Sequence, residues 1–289
     1  MRFTSKLCVA LETHLLAENE ELFSSLLRDR RSVLIVAAHP DDEVIGAGGL
    51  LCKIAQHAEI RIAYVTDGAP LDMREARSHG FHTRAEYIVV RRAERDRALA
   101  LAGLRASSTI EIGRADQCAA FDPCGLAYDI AEMIADCCPS AIITHPYEGG
   151  HPDHDATAFA IHAGRRLLMR KGCEIPALME FTSYHVRGGR MSTGDFIPSD
   201  SARISEFRLS PEQTARKQRM LNAHATQRET LAAFSSVVER FRPAPTYDFS
   251  RLPNGGQLYY QRFQWGLTGA QWQCLVSAAL RQMKMEAIL

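Results

Sequence analysis

Paired cysteines are missing from this 289-residue chain. Its eight cysteines, Cys8, Cys52, Cys118, Cys124, Cys137, Cys138, Cys173 and Cys274, are scattered and form no CxxC pair. That argues against a disulfide framework and against a thiolate zinc site. Reduced thiols in a cytoplasmic setting are expected, mostly as small buried apolar side chains. An excess of one charge is also missing, since Lys+Arg and Asp+Glu number 34 each. A neutral chain has no global electrostatic reason to bind nucleic acid or an anionic membrane. No apolar run approaches the roughly 18 residues of a membrane span. The N-terminal stretch carries Glu12 and His14 inside its apolar run, with no small-residue cleavage site, so it reads as an amphipathic helix and not a signal peptide. Internal repeats and low-complexity tracts are absent as well.

What is present is ordinary for a soluble globular protein, with 46% hydrophobic and 24% charged residues. The length suits two domains or one large one, and either buries a sizeable core without staples. A helical stripe covers residues 5–29. The β-branched apolar run 32–38 reads as a buried strand, 59–68 as a second, and the segment between them as a crossover helix, a βαβ unit that favours a parallel sheet. Further strands are expected at 108–113, 140–146, 178–185 and 202–210. Helices are expected at 85–104, 128–138, 151–169, from Pro211 to about 240, and at 269–286. The segment 67–83 reads as a long loop and 240–256 as irregular. The expected organisation is an N-terminal helical extension (1–30), an α/β domain (31–240) and a C-terminal extension (241–289) packed on the same domain.

Two segments carry chemistry. Ala38-His39-Pro40-Asp41-Asp42-Glu43 directly follows the first strand, and in open α/β sheets ligands bind beyond the carboxyl ends of strands. Imidazole and carboxylate suit a borderline divalent metal, and a turn here can aim His39 and Asp42 at one ion with Asp41 beside it. Taken alone, the same acidic run serves equally well as a helix cap. The second segment, His145 to Asp155, follows the fourth strand and so opens on the same sheet edge. His151 and His154 stand three apart at a helix start. Two His/Asp clusters at the ends of two parallel strands are hard to explain as capping. Together they offer three ligands, an open position and spare acid–base groups. His145 ends a buried strand and reads as packed, or as a support behind the ligands, and not as a ligand.

The AHPDDE and HPDH segments, in this order and separation, resemble the signature pair of the PIG-L/LmbE-like zinc-dependent de-N-acetylases. Supporting features are VTDG after the second strand, Arg91-Arg92-Ala93-Glu94, and Ala223-His224-Ala225-Thr226-Gln227. The resemblance runs from about residue 32 to about 230. It implies a Rossmann-like three-layer α/β/α sandwich with a mostly parallel sheet. It also implies a metal-dependent hydrolase that removes an N-acetyl group from an N-acetylglucosamine-type substrate. In that resemblance His39, Asp42 and His154 hold zinc, with ferrous iron as the alternative. Asp41 is the general base, His151 stabilises the tetrahedral intermediate or protonates the leaving amine, and Asp153 orients an imidazole. Arg91 contacts substrate, although Arg92 competes for that place. His224 borders the pocket or caps a helix. Some members have a tyrosine two residues before HPDH; here that position is Gly149, and Tyr147 is the candidate to replace it.

The implied substrate is a small glycoside or glycan precursor. A homo-oligomer stays open. Three other readings compete: a zinc amidohydrolase on a non-sugar amide, a non-catalytic sugar-binding protein, and a Rossmann-like nucleotide site at Gly46-Ala47-Gly48-Gly49. The last is disfavoured because these glycines fall inside the next helix, where they read as allowing close packing. His79 and His82 are expected in the loop after the second strand, at the entrance or simply on the surface.

Overall fold

A computed structural model describes residues 32–199, 203–263 and 265–289. The helix expected at 5–29, and with it the N-terminal extension, lies outside them. The strands are β1 (Ser32–Ala37), β2 (Glu59–Pro70), β3 (Thr109–Asp116), β4 (Ala141–Thr144), β5 (Ala177–Phe181), β6 (Tyr184–Arg187), β7 (Arg190–Thr193), β8 (Ser205–Arg208) and β9 (Val238–Pro243). The helices are α1 (Asp42–Ile54), α2 (Arg74–Ser78), α3 (Arg84–Leu101), α4 (Pro123–Cys137), α5 (Pro152–Arg170), α6 (Pro211–Ala223), α7 (Arg228–Leu231) and α8 (Gly269–Gln282).

Seven strands form one sheet in the order β3-β2-β1-β4-β5-β9-β8, and β6 and β7 form a separate hairpin. The first five strands are parallel; β9 runs antiparallel to both β5 and β8. The apolar run of β1 has no polar face because both of its faces are buried. Leu34 and Val36 join α4, α5 and α8 in one core, while Val33, Ile35 and Ala37 join α1 and α6 in the other. The result is a three-layer sandwich. Among the described residues no helix is long and apolar enough to cross a membrane.

Helix α1 breaks its own pattern. Ala47 has φ −142°, which kinks the helix. The N–H groups of Gly49 and Leu50 instead donate to the Glu239 carboxylate of β9, at 2.6 and 2.9 Å. The Lys217 ammonium of α6 donates to the Ile45 carbonyl and to Glu239, both at 2.8 Å. Lys217 and Glu239 are fully buried side chains, so this ion pair splices the kink to two neighbouring elements. The glycines here serve close approach: a Cβ on Gly46 would sit 2.2 Å from the Phe181 ring, and one on Gly49 would sit 2.3 Å from Leu209.

Several expected elements differ. The helix expected to run to about 240 ends at Ala223, because Thr226 turns away to give both its N–H and its hydroxyl to Glu94 of α3, at 3.0 and 2.6 Å. The chain continues through the short α7 into β9, whose pairing with two strands overrides the proline-rich composition of 240–256. A boundary at 240/241 therefore falls inside a strand. The 178–185 strand divides into β5 and β6, and the 67–83 loop contains the end of β2 and all of α2. The cysteines are less buried than expected: among the described ones Cys124 alone is buried, and Cys138, Cys173 and Cys274 are exposed. Residues from Phe249 to Met283 fill the core under α4 and α5, with Trp272 only 1% exposed.

Candidate metal and active site

The chain winds β1→β2→β3 in one direction across the sheet and then turns back through β4 and β5. Strands β1 and β4 are therefore neighbours whose following segments diverge, which opens a crevice at their carboxyl ends. Both chemistry-bearing segments emerge there. Asp41 stands at the N-cap of α1 with φ 137° and makes no capping hydrogen bond with its side chain. A non-glycine residue in that region is strained, and such strain gathers at functional sites. The capping alternative thus does not describe Asp41. Asp42 bends back to accept the His39 N–H at 2.8 Å.

Asp42 stands among three histidines. Its Oδ2 lies 3.1 Å from His39 Nδ1 and 3.3 Å from His145 Nε2, and its Oδ1 lies 3.3 Å from His154 Nε2. Ser183 Oγ lies 3.4 Å from His154 Nδ1, which orients that imidazole. His151 caps α5: its Nδ1 accepts the Asp153 N–H at 3.1 Å, leaving Nε2 as the protonated nitrogen of the neutral ring. Asp153 is fully buried and accepts N–H groups from Gln117 and Ala119, at 2.6 and 3.0 Å. The imidazole it meets is His39, at 3.3 Å, with His151 farther at 3.9 Å.

Among the described residues three sets of donors close to within 4.8 Å: His39, His151 and His154; His39, Asp116, His151 and Asp153; and Asp42, His145 and His154. The expected trio of His39, Asp42 and His154 is spread over these sets and is not one of them, because the two Asp42 oxygens turn toward opposite histidines. His145 stacks on His154 at 4.0 Å, but its Nε2 already accepts the Ala38 N–H at 3.0 Å. That lone pair is spent, so His145 is poorly suited to ligation. Burial pushes the His145 imidazole down to about 4, with the neighbouring His154 acting in the same direction.

The donor chemistry fits a divalent cation. Imidazole nitrogens and carboxylate oxygens converge in a buried place without a thiolate, the mixture suited to zinc or ferrous iron. Asp41, Asp42, Asp116 and Asp153 gather here, and of these the Arg91 guanidinium pairs with Asp41. Asp116 Oδ1 is buried without a well-formed hydrogen bond, although it lies 3.1 Å from His39 Nε2. Desolvated negative charge of this density favours a cation.

Of the two candidate arginines, Arg91 belongs to the site and Arg92 does not. Arg91 is 2% exposed, and its Nη2 donates to Asp41 Oδ2 at 3.1 Å and to the Pro40 carbonyl at 2.9 Å. Arg92 is half-exposed and pairs with Glu111. Gly68 of the VTDG turn lets Arg91 pass: its φ is +67°, and a Cβ there would meet Arg91 Nε at 2.9 Å. Burial pushes the Asp41 carboxyl up to about 7; Arg91 pulls it down and Asp42 pushes it further up. Glu43 accepts the Asp41 N–H at 3.1 Å, and burial, then the charge of Asp41, push it up to about 8.

Two expected substrate contacts are placed elsewhere. The Tyr147 hydroxyl donates to the Arg251 carbonyl at 3.0 Å and accepts the Trp272 indole N–H at 2.9 Å, so it is committed to the C-terminal segment. His224 is wholly buried beside Arg91, and burial, then Arg91, push its imidazole down to about 3. His79 and His82 are exposed, and His79 stacks on Tyr87 at 6.2 Å. The glycines at 46–49 are buried against Phe181 and Leu209, which leaves no room for a dinucleotide.

Asp116, Tyr184 and Trp265 at the site, besides Ser183 on His154, escaped the sequence reading. Asp116 ends β3 on the same sheet edge, and the strand-end rule applied to all strands would have found it. Tyr184 presents its ring edge to His154 at 5.4 Å; burial and the charges of Asp42, Asp116 and Asp41 push its hydroxyl up. Trp265 tilts over His151 at 4.6 Å. Neither aromatic sits in a motif, so only folding reveals it.

Residues 34–163 match the family model described as PIG-L, GlcNAc-PI de-N-acetylase. A curated relative, the probable N-acetyl-alpha-D-glucosaminyl L-malate deacetylase 2 of Bacillus anthracis, is 30% identical over 137 residues, 47% of this chain. That match spans 59% of the relative's length. The solved A40926 pseudoaglycone deacetylase is similar in fold, with TM-score 0.54 and 20% identity over 74% of this chain and 97% of its own. The N,N'-diacetylchitobiose deacetylase from Pyrococcus horikoshii has TM-score 0.54 and 18% identity over 81% of this chain and 92% of its own. The segment that matches the PIG-L family model, residues 34–163, runs from β1 into α5 and includes both chemistry-bearing segments of the crevice.

Proposed function

We propose that the protein is a metal-dependent de-N-acetylase that hydrolyses the acetamide of an N-acetylglucosamine-type glycoside to acetate and a free amine. The observation that carries this reading is Asp41, a strained, buried carboxylate beside His39, Asp42 and His154. The name of the curated relative, a probable N-acetyl-alpha-D-glucosaminyl L-malate deacetylase, supports the substrate class. His39, Asp42 and His154 would hold the ion, zinc or ferrous iron. When bound, it supplies a Lewis acid for the acetamide carbonyl and lowers the pKa of a water to about 7.

The chain's own groups do the rest. Asp41, near neutrality in its carboxyl pKa, takes a proton from the attacking water. Arg91 holds Asp41 in place through its side chain and through the Pro40 carbonyl. His151 presents Nε2–H toward the crevice, where it can donate to the developing oxyanion or to the departing nitrogen. Tyr184 takes the place of the absent tyrosine at position 149.

The experiment is metal analysis of the purified protein joined to amine release from a panel of N-acetylglucosaminides, with and without chelator. About one ion per chain and chelator-sensitive release support the proposal. Metal with no release from any sugar, but release from other amides, moves the activity to a non-sugar amidohydrolase. Absence of metal after reconstitution overturns it.

A further inference from the structure

Aromatic rings close a circuit around the mouth of the site. His154 meets Tyr184 at 5.4 Å, Tyr184 meets Tyr259 at 5.7 Å, and Tyr259 meets Phe263 at 5.3 Å. Phe263 stacks on Trp265 at 4.5 Å and 13°, Trp265 tilts onto His151 at 4.6 Å, and His151 returns to His154 at 5.2 Å. Three of these rings, Tyr259, Phe263 and Trp265, come from the C-terminal segment beyond the family match. Phe263 is 41% exposed, an unusual state for a ring held by neighbours on two sides. It borders a cavity of about 370 Å³ lined by Gln261, Gly266, Leu267, Thr268 and Gln271 as well.

We infer that this cavity is a subsite for a second, neutral sugar ring, linked through the anomeric oxygen of the N-acetylglucosamine unit. The inference rests on the deacetylase reading for the position of the first ring. A pyranose has an apolar C–H face and an equatorial rim of hydroxyls. The open face of Phe263 takes the former, since the negative face of an aromatic ring attracts C–H. The Thr268 hydroxyl and the Gln271 amide oxygen are joined in the capping box of α8, which leaves the Gln261 amide and the Gln271 NH2 group to meet the rim, polar groups beside the apolar Phe263 and Leu267. No charged side chain lines the cavity, so an anionic aglycone has no partner there. The nearby guanidinium of Arg262 is engaged with the Gly189 carbonyl and with the Tyr259 ring. Two ring spacings separate His151 from Phe263, the reach of a unit one sugar away from the acetamide.

The test uses a disaccharide of two β-1,4-linked glucose units, which has no acetamide. The chain has two tryptophans; Trp272 is buried with its indole N–H bonded to Tyr147, so a saturable change in emission reports Trp265. The subsite predicts such a change, with about tenfold weaker binding in Phe263→Ala. No change, or the same titration in the variant, overturns it. A second arm compares kcat/KM for an N-acetylglucosaminyl disaccharide with that for N-acetylglucosamine. The ratio falls about tenfold in Phe263→Ala, through KM. An unchanged ratio with good amine release overturns the subsite and keeps the deacetylase reading. Disaccharide binding that depends on Phe263 without amine release does the reverse. An aryl glycoside that loses as much as the sugar in the variant replaces the sugar with a generic apolar aglycone and overturns the assignment.

Discussion

One guanidinium grips both the side chain and the backbone of the turn after β1: Arg91 Nη2 lies 3.1 Å from Asp41 Oδ2 and 2.9 Å from the Pro40 carbonyl oxygen. Arg91 itself comes from α3, some fifty residues along the chain, and reaches Asp41 past Gly68. The contact holds a carboxylate that burial alone would leave protonated. Replacing Arg91 with Met therefore raises the Asp41 pKa further and moves the acid limb of the kcat/KM profile to higher pH. A profile shifted toward lower pH, or unshifted, contradicts that role. Asp41→Asn retains the metal and loses turnover by about 10²–10⁴, the usual range for a general base; metal loss in that variant makes Asp41 a ligand.

Metal content separates the two histidines that stack on each other. His154→Ala loses the ion, because its Nε2 faces Asp42 and the crevice. His145→Asn keeps it, because the lone pair of His145 Nε2 is already taken by the Ala38 N–H. Equal metal loss in both variants shows that His145 also ligates.

The two tyrosines part in the same way. Tyr184→Phe lowers kcat by about 10²-fold if its hydroxyl meets the oxyanion, the scale of one oxyanion donor, with stability nearly unchanged. Tyr147→Phe leaves the buried Trp272 indole N–H without its acceptor and costs about 1–3 kcal/mol of stability, read from a denaturation curve, while kcat stays within a few-fold of wild type. The reverse pattern returns Tyr147 to the active site.

His162 and His224 set a pH limit on stability. Burial pushes both imidazoles down to about 3, with Arg165 adding at His162 and Arg91 at His224. In the unfolded chain each titrates near 6.5. Between these values the unfolded state binds more protons, so stability is fully present above about pH 6.5 and falls as pH drops through that value. Each imidazole contributes up to about 1.4 kcal/mol per pH unit. Urea midpoints measured from about pH 7 to pH 5 should show this slope, and His162→Phe should flatten it. A slope indifferent to His162 means that other groups carry it.

The Lys217–Glu239 ion pair is wholly buried and joins α6 to β9. Lys217→Met leaves the Glu239 carboxylate buried with two backbone N–H groups and no cation, and costs about 3–5 kcal/mol. The double variant with Glu239→Gln recovers part of that loss. Denaturation of the two variants measures the difference, and a single variant as stable as wild type removes the pair from the account of the kink.

Much of the strand–helix alternation was legible because burial on both faces of β1 and the 3.6-residue stripes of α3 and α5 are local patterns. The C-terminal half was less so. Val238–Pro243 pairs between β5 and β8, a relationship over some sixty residues of sequence that no local window holds. Composition there pointed to an irregular segment, and the helix before it looked longer because the ties of Thr226 to Glu94 are tertiary.

The sequence by itself determined which residues bring chemistry to the crevice. AHPDDE and HPDH each follow a strand, and strand ends in a parallel sheet share an edge. The tertiary structure decided how they meet: which arginine holds Asp41, which imidazole Asp153 touches, and that Asp42 turns one oxygen toward His39 and His145 and the other toward His154. It also put Asp116, Tyr184 and Trp265 at the site and took Tyr147 away. A motif records side chains that lie close along the chain. Distances between segments depend on sheet order, on the packing that Gly46 and Gly68 permit, and on which hydrogen bonds a buried hydroxyl finds first.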